Sequence, residues 1–433
     1  MMKINRYNWK TMNSKEKETL FSRSEIDIKD VQESVKDIIK QVREKGDTAL
    51  LSLNHKFDKT PLDMKLRVSE QEFDQAESLL SEEVKKALQY SIDNVRRFHS
   101  SQLPEAMKMV EIQPGLLVGE KAIPIDSVGL YVPRGRGFFP SMLYMLSIPA
   151  VTAGVRRVCV VTPPDENGTV DPACLYAAKL CGVHEIYKVG GAQAIAALAY
   201  GTESIEKVEK LSGPGSMYVT AAKRLLYDQV DVGLPAGPSE SIVLADGSAN
   251  PQKVALDLMI EAEHGSDSAA LLITHDSNLA DNCERIIKEL CAELPEPRKT
   301  FVEDVMKGYG GIIVTDSLEE SAEVANLFAT EHLQIQTKEP FHTLSLIKNA
   351  GEILLGENTP FSIANYAAGP NAVLPTGGNA KTWSAVSVRD FIKYSSVIFS
   401  TEAALNEISP HVECLADYEG FTTHGDALKK RRK

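Results

Sequence analysis

The sequence is short of basic charge, of aromatic residues and of paired cysteines. Its 433 residues carry 47 Lys and Arg against 60 Asp and Glu, a formal net charge of −13. Such a surface repels phosphate backbones, which argues against a protein that clamps nucleic acid. The six cysteines (Cys159, Cys174, Cys181, Cys283, Cys291, Cys414) form no Cys-x-x-Cys pair. That excludes a disulfide scaffold or thiolate metal knuckle and fits reduced residues of a cytoplasmic protein. The N-terminal stretch MMKINRYNWKTMNSKEKETLF has no apolar h-region, so no secretory leader is expected. The uncharged run GFFPSMLYMLSIPAVTAGV (137–155) is broken by Pro140, Pro149 and Gly154 and followed at once by charge. It reads as a buried helix, with no membrane span anywhere. Phosphate-loop signatures are missing too: there is no G-x-x-x-x-G-K-[ST], and no G-x-G-x-x-G between a strand and a helix.

What is present has the composition of soluble globular domains, with 43% hydrophobic and 25% charged residues. At roughly 150 residues per domain the length predicts two or three domains. The first ~100 residues have helical periodicity: Val31, Val35, Ile38, Ile39 and Val42 fall on one face. From about residue 127 short β-branched runs alternate with amphipathic stretches: VGLYV (128–132), RVCVV (157–161), EIYKV (185–189), SIVLA (241–245), ALLIT (270–274), GIIVT (311–315), LQIQT (333–337) and EILLG (352–356). This alternation predicts an α/β fold: two Rossmann-like domains with mainly parallel sheets, plus helical N-terminal and C-terminal segments. The expected division is a helical region 1–126 packing on the second α/β domain, a first α/β domain 127–240, a second at 241–384, and a helical tail 385–433.

Four glycine-containing junctions, YVPRGRG (131–137), KVGGAQA (188–194), LSGPGSMYV (211–219) and LPAGPSES (234–241), follow predicted strand ends. Open parallel sheets bind ligands there, and helix N-termini offer free N–H groups to anions. Each alone is equally an ordinary turn. Glu261 and His264 share a helix face at i, i+3, a spacing that serves metals in helical carboxylate sites and solvated surfaces alike. Glu331-His332 sits at a helix-to-strand corner and suits a paired base and water activator, or a plain surface corner. The stretch ENTPFSIANYAAGPNAVLPTGG (357–378) is polar and nearly uncharged, the texture of a structured binding loop. EGFTTHGDA places Glu419 and His424 near the C-terminus.

Taken in order, LYVP, VGGAQAIAALAYGT, GPG-x-x-YV, AGPSE, EAEHG, ATEHL, YAAGPN-x-VLPT and EG-x-x-x-H resemble the histidinol dehydrogenase family over nearly the whole chain. The resemblance implies an enzyme that uses NAD and one zinc ion per subunit to oxidise a primary alcohol through a bound aldehyde to a carboxylate. It implies Glu331 and His332 as the catalytic pair, and Glu261, His264, Asn365 and His424 as zinc ligands. Ser239 and Glu419 match substrate positions, and Tyr131, Gln193 and Ser216 match NAD positions. It further implies a homodimer in which the C-terminal segment carrying His424 reaches the partner's site.

The chain departs from the family pattern at several of these places. Glu261 stands where the family has Gln and Asn365 where it has Asp, so an amide and a carboxylate are exchanged at unchanged formal charge. Ala372 replaces a substrate-side His, Ser216 replaces an Asn, and Arg134 and Arg136 bring forked cations into the YVP loop, suited to an anionic group. Histidinol is the default substrate. Arg136 points to the alternative of an anionic hydroxy compound such as a sulfonated diol, which one family relative oxidises. A third reading of another class, a metal-binding protein or hydrolase without redox activity, has Ser216 as its support.

Overall fold

The computed structural model describes residues 2–22, 29–134 and 137–431; Arg136, the candidate anion-binding residue, lies outside the described residues. All eight β-branched runs named above fall on strands, and they build two parallel sheets. In the first, Glu185–Lys188, Arg157–Thr162, Ser127–Tyr131 and Lys210–Ser212 lie side by side in that order. In the second, Arg6–Asn8, Gly311–Val314, Ala269–Thr274, Glu240–Ala245, His332–Gln336 and Glu352–Leu355 do so. In the first sheet, and in the second once the early edge strand Arg6–Asn8 is set aside, the chain starts in the interior, steps outward one way, then crosses to the other flank, the Rossmann-like winding. Both faces of each sheet are covered, which is why most of the runs are apolar at successive positions; LQIQT alternates, and its Gln334 and Gln336 are buried and hydrogen-bonded. Val128, Leu130, Val160 and Ile186 meet Leu143, Leu146 and Ile148 of helix Pro140–Ala153, the uncharged run, on one face. Cys159, Val161 and Leu211 face Ile195, Leu198 and Val219 on the other.

The N-terminal region departs from expectation in two ways. The stripe of Val31, Val35, Ile38 and Val42 on helix Lys29–Asp58 packs on the first sheet's layer, with Leu198 and Leu226, and not on the second domain. The stripe's spacing specifies an apolar face and carries no address for its partner. Only the preceding residues join the second unit: Arg6–Asn8 adds an edge strand, and Trp9 and Leu20 enter that core. The ends of the chain are also less helical than expected. Met107–Gln113 and Leu116–Pro124 form an antiparallel hairpin, and Ile392–Ser400 pairs with its second strand along all nine residues. Helices Glu402–Glu419 and Thr422–Lys429 then fold against each other.

The segment 366–377 is fastened to both units. Tyr144 Oη donates to the Tyr366 carbonyl (2.7 Å), Asn94 to that of Ala367 (3.0 Å) and Asn371 to that of Met145 (2.5 Å). Glu240 Oε1 accepts from the Gly377 N–H (2.8 Å). The predicted binding loop is therefore an ordered strap, with one short helix, Phe361–Tyr366. All six cysteines are free thiols; five are buried and Cys414 is exposed.

Candidate active site

The chemistry gathers at the amino-terminal edge of the second sheet. Helix Leu318–Phe328 ends at Ala329 with positive φ, and the chain then turns through Glu331 into strand His332–Gln336. Helix Pro251–Ala262 runs antiparallel to the strands, so its last turn delivers Glu261, and just beyond it His264, to the same edge. Helix Phe361–Tyr366 returns Asn365 there from the far side.

Glu261, with 0% of its surface exposed, is the hub. Asn365 Nδ2 donates to its Oε1 (2.8 Å), His264 Nδ1 lies 3.1 Å from its Oε2, and His332 Nε2 lies 4.0 Å from its Oε1. Oε2 nonetheless has no hydrogen-bond partner of acceptable angle. Ser239 Oγ is 3.0 Å from His264 Nδ1. Glu331 Oε2 accepts from the Glu240 N–H (2.9 Å), while its Oε1 faces His332 Nε2 at 3.7 Å. On its other side the His332 ring is anchored through Nδ1, 2.6 Å from Glu352 Oε1, with the Phe361 ring edge-on at 5.7 Å.

Burial alone would raise the Glu261 carboxyl, but the imidazoles of His332 and His264 and the Asn365 amide together pull it well below the usual carboxylate range. For Glu331 burial wins, and the neighbouring Glu261 and Glu240 charges add to it, so the carboxyl is pushed up to about 8. Desolvation would lower His332, yet Glu261, Glu331 and Glu352 together raise it. One carboxyl kept ionised beside another kept protonated, with an imidazole between them, is an arrangement that divides acid and base roles.

Of the four expected zinc ligands the structure brings Glu261, His264 and Asn365 together. Among the described residues no three His, Cys, Asp or Glu side chains form a ready metal-ligand group. An ionised buried carboxylate with one oxygen short of a hydrogen bond, an imidazole and an amide oxygen are nevertheless donors of the right chemistry for a divalent ion. The two departures from the family pattern turn out to be hydrogen-bonded to each other, so the exchange is between neighbours. His424 is exposed, its ring against Phe421, and neither it nor Glu419 makes a hydrogen bond or ion pair with the cluster.

The expected NAD residues lie at the carboxyl edge of the first sheet. The switch point falls between Ser127–Tyr131 and Lys210–Ser212. Gly213, at φ +122°, passes so close to the Tyr131 carbonyl that a Cβ would sit 2.2 Å from it. Tyr131 Oη accepts from the Gly191 N–H (3.1 Å), and both it and Gln193 are almost wholly covered by protein. Ser216 is exposed at the N-terminus of helix Met217–Leu225, and its hydroxyl makes no capping bond. A helix N-terminus and a side-chain-free backbone approach at a switch point suit a dinucleotide pyrophosphate. Beside them a cleft of about 900 Å³ opens between Gly215, Lys223, Leu234 and Trp383. Arg134 donates to the Pro164 carbonyl and lies over Phe138.

Sequence reasoning missed Glu352 and Phe361. Phe361 lies within the 357–378 stretch and Glu352 opens the run EILLG, but nothing local marks either one: Glu352 reaches His332 only through strand register.

Residues 21–432 match the sequence profile of histidinol dehydrogenase. The chain is 50% identical to histidinol dehydrogenase of Synechocystis sp. over 410 residues, 94% of each chain. It is 47% identical over 434 residues to a histidinol dehydrogenase homolog of Rhizobium meliloti, covering 100% of this chain and 95% of that one. The crystal structure of histidinol dehydrogenase from Elizabethkingia anophelis superposes with a TM-score of 0.94 at 36% identity, covering 100% of this chain and 98% of that one.

Proposed function

Because this chain belongs to the histidinol dehydrogenase family, we propose that it is a cytoplasmic, zinc-assisted, NAD-dependent dehydrogenase. It would oxidise a primary alcohol through a bound aldehyde to a carboxylate, with histidinol as the default substrate. The observation that carries this reading is the buried Glu331–His332 pair facing the Glu261–His264–Asn365 cluster. When bound, zinc would orient and polarise the substrate oxygen and NAD would accept hydride.

The protein's own groups do the rest. Glu261, His264 and Asn365 would hold the metal, with His424 from the partner subunit. His332 Nε2 takes the hydroxyl proton as hydride leaves the carbinol carbon. After His332 passes that proton to solvent, it takes one from water as the water oxygen adds to the aldehyde carbon, while the protonated Glu331 gives one to the aldehyde oxygen, forming a hydrate. Loss of a second hydride and of two protons then gives the carboxylate, a four-electron oxidation that consumes two NAD and one water. Burial of both groups keeps bulk water from the intermediate.

Support for a homodimer comes from apolar side chains left uncovered on the antiparallel sheet and the C-terminal helices: Val110, Ile112, Ile398, Phe399, Leu415 and Tyr418. A patch of this kind marks an interface. The same C-terminal helices carry Glu419 and His424, which do not reach the cluster of their own subunit, consistent with service in trans.

The second reading, an anionic hydroxy substrate, is favoured by the YVP loop, which carries Arg134 and Arg136, and by Ala372, which packs into the core and offers no polar atom to the substrate.

Metal analysis combined with NAD reduction tests the proposal. The wild type should contain about one zinc per subunit and reduce NAD with histidinol or with a sulfonated or phosphorylated diol. His332→Ala should lose NADH formation and keep its metal. Undiminished NADH formation by that variant would remove His332 from the chemistry.

A further inference from the structure

We propose that Glu352 is the positioning residue for His332: it accepts from Nδ1–H and orients the ring so that Nε2, once it has given up its proton, presents its lone pair to the substrate. The inference rests on the dehydrogenase reading above. His332 and Glu352 are register partners on adjacent parallel strands, His332–Gln336 and Glu352–Leu355, which places their side chains on the same face. The Nδ1 to Oε1 distance is 2.6 Å, and both side chains are buried, with 3% and 10% exposed. A short contact to an ionised acceptor in a dry setting is a strong orienting bond.

Gly351 makes the contact possible. A Cβ at this position would sit 2.6 Å from the Glu331 carbonyl oxygen, so only glycine lets the strand approach this closely. The approach is fixed by Gly351 N–H donating to the Thr330 carbonyl and Glu352 N–H to that of Glu331, both at 2.9 Å. Phe361 closes one side of the ring. Nε2 meanwhile has no hydrogen bond, only the Glu331 and Glu261 oxygens at 3.7 and 4.0 Å. The imidazole is thus tied at one nitrogen and open at the other, on the side of the metal-ligand cluster. When Nε2 takes the hydroxyl proton, the resulting imidazolium is neutralised by the Glu352 carboxylate, which itself gains no proton. A carboxylate behind a working histidine fixes its tautomer and strengthens it as a base.

The test uses Glu352→Ala and the isosteric Glu352→Gln in the full-length, zinc-loaded protein. Turnover is measured alongside ¹⁵N spectra of histidine-labelled protein, with His332→Ala providing the assignment. In the wild type His332 should be protonated at Nδ1 with a downfield proton. Glu352→Gln, whose amide oxygen still accepts from Nδ1–H, should keep that signature and lose roughly 10-fold in kcat. Glu352→Ala should lose the signature and about 100-fold in kcat, with KM and zinc content little changed. An Nδ1 signal unchanged in Glu352→Ala, or a kcat equal to wild type, overturns the assignment. So does a loss confined to KM or metal content. A wild type inert toward NAD with every alcohol overturns the dehydrogenase reading instead, and the spectra still show whether Glu352 sets the His332 tautomer.

Discussion

The hydrogen bond between Asn365 and Glu261 makes a quantitative prediction about why the two departures occur together. Asn365→Asp alone would set a second carboxylate 2.8 Å from the first. At an effective dielectric constant of ~20 the repulsion is about 6 kcal/mol. Protonating one carboxyl at pH 7 costs only about 4 kcal/mol from an ordinary pKa, so a proton is taken up and the penalty is capped there. Glu261→Gln alone leaves two amides facing each other and removes the counter-charge between His264 and His332, a loss of about 3–5 kcal/mol for a broken buried pair. The double variant restores one carboxylate and one amide across the same contact. It should therefore be at least about 2 kcal/mol more stable than the sum of the singles requires. Urea denaturation of chelator-treated protein at pH 7, followed by the fluorescence of Trp9 and Trp383, gives the four stabilities. Zinc content after reloading should recover in the double variant and fall in both singles. If the two changes add within about 0.5 kcal/mol, the residues do not act as a pair and the exchange has no structural logic.

Two further outcomes follow from other parts of the molecule. The Lys223 amine is enclosed, donates to the Gly213 carbonyl, and is pushed by burial from 10.5 down to about 8. The folded chain releases this proton before the unfolded chain does, so the cost of burying the charge is fully present below pH 8. Stability then rises with pH between 8 and 10.5, by up to about 3 kcal/mol. Lys223→Met should flatten that rise without loss of stability at pH 7; parallel curves for the two proteins in urea titrations from pH 7 to 10 would refute it. In the proposed dimer, mixing His332→Ala subunits with His424→Ala subunits should restore about a quarter of wild-type activity, because half of randomly paired dimers carry one intact site. A mixture as inactive as its parents would place His424 in its own subunit's site, or in none.

How much of this was legible beforehand depended on distance along the chain. Glu331-His332 and Glu261-x-x-His264 are local patterns, and both meet at one sheet edge as separate pieces of secondary structure. Of the eight runs that read clearly, most lie on strands buried on both faces, where nothing enforces a polar alternation. Arg6–Asn8 is only three residues long with two of them polar, and LLVGEKAIP carries the consecutive exposed residues Glu120 and Lys121, one on each face, so neither has a periodicity to find. Glu352 was illegible for a different reason. Its role is set by which residue of one strand lies beside which residue of another, and strand register is a property of the assembled sheet.

The edge strand Arg6–Asn8 also bears on how the chain is made. Its partner Ile312–Val314 leaves the ribosome some three hundred residues later, roughly 15–60 s at ordinary elongation rates. Through that interval the first sheet and helix Lys29–Asp58 can assemble as a unit, while the segment before them waits with its backbone groups unpaired. This edge of the second sheet therefore cannot close until residues 312–314 have emerged. A pause or premature stop between residues 245 and 311 would leave that edge exposed to the nascent chains of neighbouring ribosomes.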